Sequence, residues 1–152
     1  MPSKTSTIWG LFALLACLAG CSSDSTTQSS PNLRIQLNAM NSGRAPCEIE
    51  RIATVDQSRN QLYMVRGEGI YRLEGGQSTD IPVQIQFRGL EGVVEDRAIT
   101  GPELDAACDQ LAIEFTIESC QNQSRELIEC PPFEINGQEA FRAFSLEFES
   151  KD

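Results

Sequence analysis

The chain has 152 residues, 40% of them hydrophobic, which suffices for one globular domain with a short appendage. Twelve Lys and Arg residues stand against 22 Asp and Glu, a formal net charge of −10 with no basic cluster to relieve it, so phosphate backbones are repelled and no nucleic-acid partner is expected. The absence of histidine excludes Ser-His-Asp and Cys-His nucleophile systems, His-ligated zinc and a histidine pH switch.

The first segment reads "MPSKTSTIWGLFALLACLAGC". Lys4 is a short positive start, and Ile8 to Ala19 is an apolar run containing Trp9, the sole tryptophan. That run is too short to cross a hydrocarbon core of about 30 Å as a helix. It ends in Leu18-Ala19-Gly20-Cys21, an aliphatic residue and two small residues before a cysteine. This resembles the lipobox of bacterial lipoproteins, and the resemblance covers residues 1–21. It implies cleavage before Cys21 and acyl chains on the sulfur and nitrogen of that residue. Each buried CH₂ contributes about 0.8 kcal/mol, so several chains anchor the protein in a membrane. Cys17 lies inside the apolar run and is expected to leave with it. By the same resemblance, Ser22 in place of an aspartate after the lipidated cysteine implies the outer membrane. The domain then faces the periplasm unless it is exported to the cell surface.

Residues 1–20 are therefore expected to be a lipoprotein signal peptide, residues 21–31 the lipidated cysteine with its tether, and residues 32–152 the folded domain. The tether, "SSDSTTQSSP", has no apolar residue to bury and an r.m.s. span of roughly 18 Å. From Asn32 the texture changes. "LRIQLNAM" alternates Leu33, Ile35 and Leu37 with polar residues, the period of a half-buried strand. "CEIERIATV" follows, then "QLYMVRG" and "GIYRLEGG", with Gly67 and Gly69 expected to separate two strands. "DIPVQIQFRG" places Ile81, Val83, Ile85 and Phe87 in strict alternation, and "LAIEFTIES" does the same with Leu111, Ile113, Phe115 and Ile117. "FRAFSLEFES" puts Phe144, Leu146 and Phe148 on one face, with Phe141 and Ala143 on the other. "TGPELDAACDQ" is the single helix candidate, with Thr100 as cap and Pro102 in its first turn. About seven short strands with one short helix at most predict an all-β, antiparallel sandwich. The connection "YRLEGGQSTDIPVQI" resembles a turn between strands of immunoglobulin-like or transthyretin-like sandwiches.

Once Cys21 is lipidated, Cys47, Cys108, Cys120 and Cys130 remain, and in an oxidising compartment an even number predicts two disulfides. Three pairings are open. The simplest joins Cys120 to Cys130 across the polar "QNQSRELIE", leaving Cys47 for Cys108; against it, a tight turn at Asn122 would place Cys130 opposite Phe115. A four-cysteine metal site lacks any Cys-x-x-Cys pair. Glu91, Glu95, Asp96, Glu103 and Asp105 crowd "LEGVVEDRAITGPELDAA" and are candidates for a calcium site or a hydrolase's acid–base pair, although the EF-hand pattern is absent. The outward glutamates Glu114, Glu118, Glu147 and Glu149 are expected to keep sheet edges from self-pairing. Tyr63 and Tyr71 are candidates for a binding face. No nucleophile elbow, phosphate loop or dinucleotide fingerprint is present, so neither catalytic residues nor a cofactor is expected. The expectation is a monomeric, non-catalytic envelope lipoprotein that binds another envelope protein or assists assembly. The alternative is a hydrolase, or a carrier of calcium or a small ligand, working through 91–105, which is expected to be an acidic loop.

Overall fold

The structure, a computed structural model, describes residues 33–41, 43–58 and 61–149. The expected signal peptide, Cys21 and the tether lie outside the described residues. In chain order the strands are β1 (Leu33–Ala39), β2 (Ile49–Asp56), β3 (Leu62–Leu73), β4 (Ser78–Gln86), β5 (Val93–Thr100), β6 (Leu111–Asn122), β7 (Leu127–Ile128), β8 (Phe133–Asn136) and β9 (Ala143–Phe148). They form two sheets, one ordered β5-β2-β1-β8, the other β4-β3-β6 with β7 and β9 both on the far side of β6. This is an all-β sandwich. Most pairings are antiparallel, as expected, but β1 with β8 and β6 with β9 are parallel.

The inward phase follows the alternation in the sequence. Leu33, Ile35 and Leu37 of β1, Val83 and Ile85 of β4, and Leu111, Ile113, Phe115 and Ile117 of β6 are all buried in one core. Each such side chain contributes roughly 1.5–3 kcal/mol on leaving water. Phe141, just before β9, joins them. At one flank of the sandwich the C-terminal strands meet, the rings of Phe133 and Phe148 lying 5.1 Å apart in a tilted contact between β8 and β9.

Four local expectations change. Gly67 and Gly69 do not end a strand; β3 runs through them for 12 residues. Both are core positions where larger side chains do not fit: a Cβ on Gly67 would come 2.2 Å from the carbonyl oxygen of Thr116, and one on Gly69 would press on the Tyr71 ring at 3.1 Å. Second, "TGPELDAACDQ" forms no α-helix. Thr100 ends β5, Pro102 is buried, and only Cys108–Gln110 makes a 3-10 turn. The buried run Ala106, Ala107 and Cys108 is held to the core by a disulfide, which replaces the helical solution. Third, Val93–Thr100 is a strand, where a loop was expected. Finally, Tyr63 and Tyr71 do not share a face. Tyr63 is the extra residue where the β3–β6 register slips between Leu62 and Met64, so the side-chain phase inverts there. Tyr71 is consequently buried inside the sandwich, whereas Tyr63 is half-buried under the guanidinium of Arg125.

The four cysteines form two disulfides, Cys47–Cys108 with a sequence separation of 61 and Cys120–Cys130 with a separation of 10. A second slip, between Arg66 and Gly67, skips Glu118 and turns Cys120 into the core. The turn after β6 is wider than a tight hairpin: the Asn122 N–H donates to the carbonyl of Glu126, and Arg125 takes a positive φ of 64°. That widening sets Ile128 opposite Cys120, so Cys130 reaches Cys120 instead of Phe115.

Candidate functional site

The flank opposite the Phe133–Phe148 contact is built by the edge strands β4 and β5, one from each sheet. β5 pairs with β2 over its whole length, from Ile49 opposite Thr100 to Asp56 opposite Val93. The Gln57 N–H donates to the Gly92 carbonyl at 2.8 Å, which fixes the phase of the ladder. By antiparallel alternation, Val94, Asp96, Ala98 and Thr100 bond β2, while the N–H and C=O groups of Val93, Glu95, Arg97 and Ile99 point away from the sheet. Two apolar side chains lie on the outer face of the same strand, Val93 at 75% exposure and Ile99 at 65%. The β4 edge is different, because Pro82 removes a donor at its centre.

The inner face of β5 is unusual in the other direction. Apart from Val94, its inward residues are small or polar, and Asp96 receives a hydrogen bond of 2.8 Å from Nη2 of Arg51. Arg51 occupies a core position of β2, between Ile49 and Ala53 in the inward phase, and its side chain is only 8% exposed. The same Nη2 donates across to the other sheet, to the Gln84 carbonyl of β4 at 3.0 Å. The buried Nε of Arg51 has no hydrogen-bond partner among the described residues. A cavity of about 230 Å³ lies beside this guanidinium, lined by Tyr71, Ile81, Val83, Ala98, Thr100 and Phe115 among others. Burial pushes the Tyr71 hydroxyl up to about 12, although the positive charge of Arg51 pulls the other way, so the phenol stays protonated at neutral pH.

The acidic candidates are dispersed. Glu91 precedes β5 and Glu103 and Asp105 follow it, separated by an eight-residue strand of roughly 25 Å. Glu95 faces outward and pairs with Arg97 at 3.3 Å, while Asp96 faces inward to Arg51. Among the described residues no three His, Cys, Asp or Glu side chains are placed to hold a metal ion. Arg51 was not singled out in the sequence, yet its position carried a signal: an arginine stands where the inward phase of Ile49, Ala53 and Val55 calls for an apolar residue.

No protein-family model matches the chain, and comparison with curated proteins and with solved structures finds no significant similarity to any of them.

Proposed function

We propose that the protein is a lipoprotein, anchored through acyl chains on Cys21 in the outer membrane, whose sandwich is a non-catalytic module in the periplasm that captures an extended segment of another envelope protein along the free edge of β5. The observation that carries this reading is the β5 edge. It is eight residues long, contains no proline, and presents four residues whose backbone groups have no partner among the described residues, beside the exposed Val93 and Ile99. An added strand gains main-chain hydrogen bonds from that edge, and alternate side chains give it specificity. The formal charge of −10 favours a segment flanked by lysine or arginine, with capture that weakens as salt rises.

The edge is tested by a photo-crosslinking residue at Ile99 in the native envelope, with and without Glu95→Pro. The Glu95 N–H points away from β2, so proline there leaves the ladder to β2 intact and removes a donor from the free edge. The expected result is a discrete crosslinked product that falls at least tenfold in the Glu95→Pro protein, with its thermal midpoint within a few degrees of the parent. An undiminished product overturns the reading.

The anchor is tested separately. Leu18-Ala19-Gly20-Cys21 supports acylation at Cys21, so Cys21→Ser should abolish incorporation of an acyl probe and release the protein from membrane fractions. A Cys21→Ser chain that still takes label and sediments with membranes would refute the lipobox.

A further inference from the structure

An open strand edge pairs with whatever extended backbone reaches it, so proteins commonly break such edges with proline or guard them with charge. Along β5 no proline intervenes, and no further strand among the described residues pairs with it. Leu90, Val93 and Ile99 lie just before or along this strand, and they are three of the six large hydrophobic side chains exposed among the described residues. Single exposed apolar residues are ordinary, whereas a group of them beside open backbone groups marks a contact surface. The outward charges on β5 are one of each sign, Glu95 and Arg97, so a second copy of the strand can answer each with its opposite.

The side chains along this edge are self-complementary. Val93, Glu95, Arg97 and Ile99 carry both the outward side chains and the backbone groups that point away from β2. A second copy running antiparallel, related by a twofold axis through Asp96, sets Val93 opposite Ile99 of the second copy and Glu95 opposite Arg97 of the second copy. The reverse pairs follow by symmetry. Each of these pairs exchanges two hydrogen bonds, so every N–H and C=O that the four residues turn away from β2 finds a partner. Apolar side chains then face apolar ones and each charge faces its opposite, the cross-strand combinations that stabilise a sheet. Arg97 already contacts Glu95 at 3.3 Å and Glu50 at 3.1 Å, yet 56% of its side chain stays exposed and can meet a further carboxylate. Sliding the copies by two residues, the smallest step that keeps the free groups opposed, puts Glu95 against Glu95 or Arg97 against Arg97. On the inward face Val94 comes opposite Ala98, and Asp96 meets Asp96, each carboxylate being held by its own Arg51 at 2.8 Å.

We infer that β5 is a homodimer edge, at which two copies of this chain join about a twofold axis at Asp96 into one sheet running from β8 of one copy to β8 of the other. The inference rests on the strand-capture reading only for the open edge of β5, and it adds the regulation of that edge. Self-pairing and capture of another protein's segment use the same backbone groups and exclude each other. A contact one strand wide is small for a permanent complex, so the dimer exchanges and an arriving segment can take its place.

The test uses full-length chains in the native envelope, one tagged chain carrying Val93→Cys and a differently tagged chain carrying Ile99→Cys. The mixed disulfide dimer is read after mild oxidation. A strong mixed dimer is expected, because the register places these two positions opposite each other. Val93→Cys in both chains should give at least tenfold less, since the two sites then lie roughly 20 Å apart along the strands. Adding Glu95→Arg to both chains should lower the mixed dimer at least tenfold through repulsion from Arg97. Placing Glu95→Arg on one chain and Arg97→Glu on the other should restore it to within about twofold. A photo-crosslinking residue at Ile99, which leaves the charges and cysteines as they are, should also join two copies of the chain. Mass spectrometry of that product separates the readings: two copies report self-pairing, and a product with another protein reports capture, so either can fail alone. Equal yields from the Val93–Ile99 and Val93–Val93 combinations overturn the inference, as does a mixed dimer that Glu95→Arg leaves undiminished. A charge-exchanged pair that keeps the parent's thermal midpoint without regaining the dimer overturns it too. Where a variant misfolds, the photo-crosslinker decides, and the lack of any two-copy product from Ile99 overturns it outright.

Discussion

Replacing Cys47 and Cys108 together by alanine should lower the folding free energy by about 4 kcal/mol, measured by urea unfolding with Cys120–Cys130 intact. The magnitude comes from the loop that the bridge closes. A cross-link at a sequence separation of 61 removes more freedom from the unfolded chain than one at 10, about 4 against about 3 kcal/mol on the chain-entropy model. Position strengthens the expectation. Both sulfurs are buried, and the bridge fixes the irregular run Ala106–Cys108, which has little regular backbone pairing of its own, to the chain just before β2. The denaturant slope should rise with the loss, because the unfolded chain expands once the loop opens. A midpoint that does not move would show that the bridge contributes nothing to the folded state.

The second large effect concerns the ion pair inside the flank, and it is asymmetric. Asp96→Ala should destabilise by about 3 kcal/mol, since among the described residues it leaves the buried Arg51 guanidinium with only the Gln84 carbonyl as partner. Arg51→Met should cost far less, because methionine keeps much of the volume and the stranded carboxylate of Asp96 retains 23% of its exposure to water. The double variant should recover most of what Asp96→Ala loses. Thermal or chemical unfolding of the three proteins checks this as a double-mutant cycle. If Asp96→Ala is as stable as the parent, the pair is a surface ornament and its inward placement is wrong. Neutralising all five carboxylates of 91–105 together would therefore also remove the partner of Arg51 and destabilise the fold.

β4 and β6 were legible because both of their faces obey a simple rule. Ile81 to Phe87 and Leu111 to Ile117 alternate strictly, and the structure buries that phase, with Ile81 alone only partly covered. β5 was illegible for the converse reason. In "VVEDRAIT" the outward phase carries Val93 and Ile99 while the inward phase carries Asp96, an inversion of the pattern that marks a strand. β8 has only four residues behind two prolines, too few for a period to appear. The slips at Tyr63 and Glu118 follow from packing between strands and leave no mark in either sequence alone. The site divides the same way. Asp96 drew attention as an acid and Tyr71 as an aromatic, but their roles depend on Arg51, which could be recognised only by following the phase of β2 past Ile49.

The two parallel pairings tie the order of folding to the end of the chain. Leu33 lies opposite Phe133, and Ile113 opposite Phe144, so each sheet is finished by a strand from the last quarter of the sequence. β1 cannot acquire its second neighbour until roughly a hundred residues have followed it, and the loop-closure entropy of that contact is met late. The antiparallel ladder β4-β3-β6 waits less, because only β5 and the Cys108–Gln110 turn with its flanking loops separate β4 from β6 along the chain. An emerging polypeptide can therefore assemble the middle of one sheet first, while β1 stays without its last partner until the C-terminal strands arrive. The chain is then most open to proteases and to mispairing with its neighbours until β8 and β9 are in place, and these strands act as the latch that closes that interval.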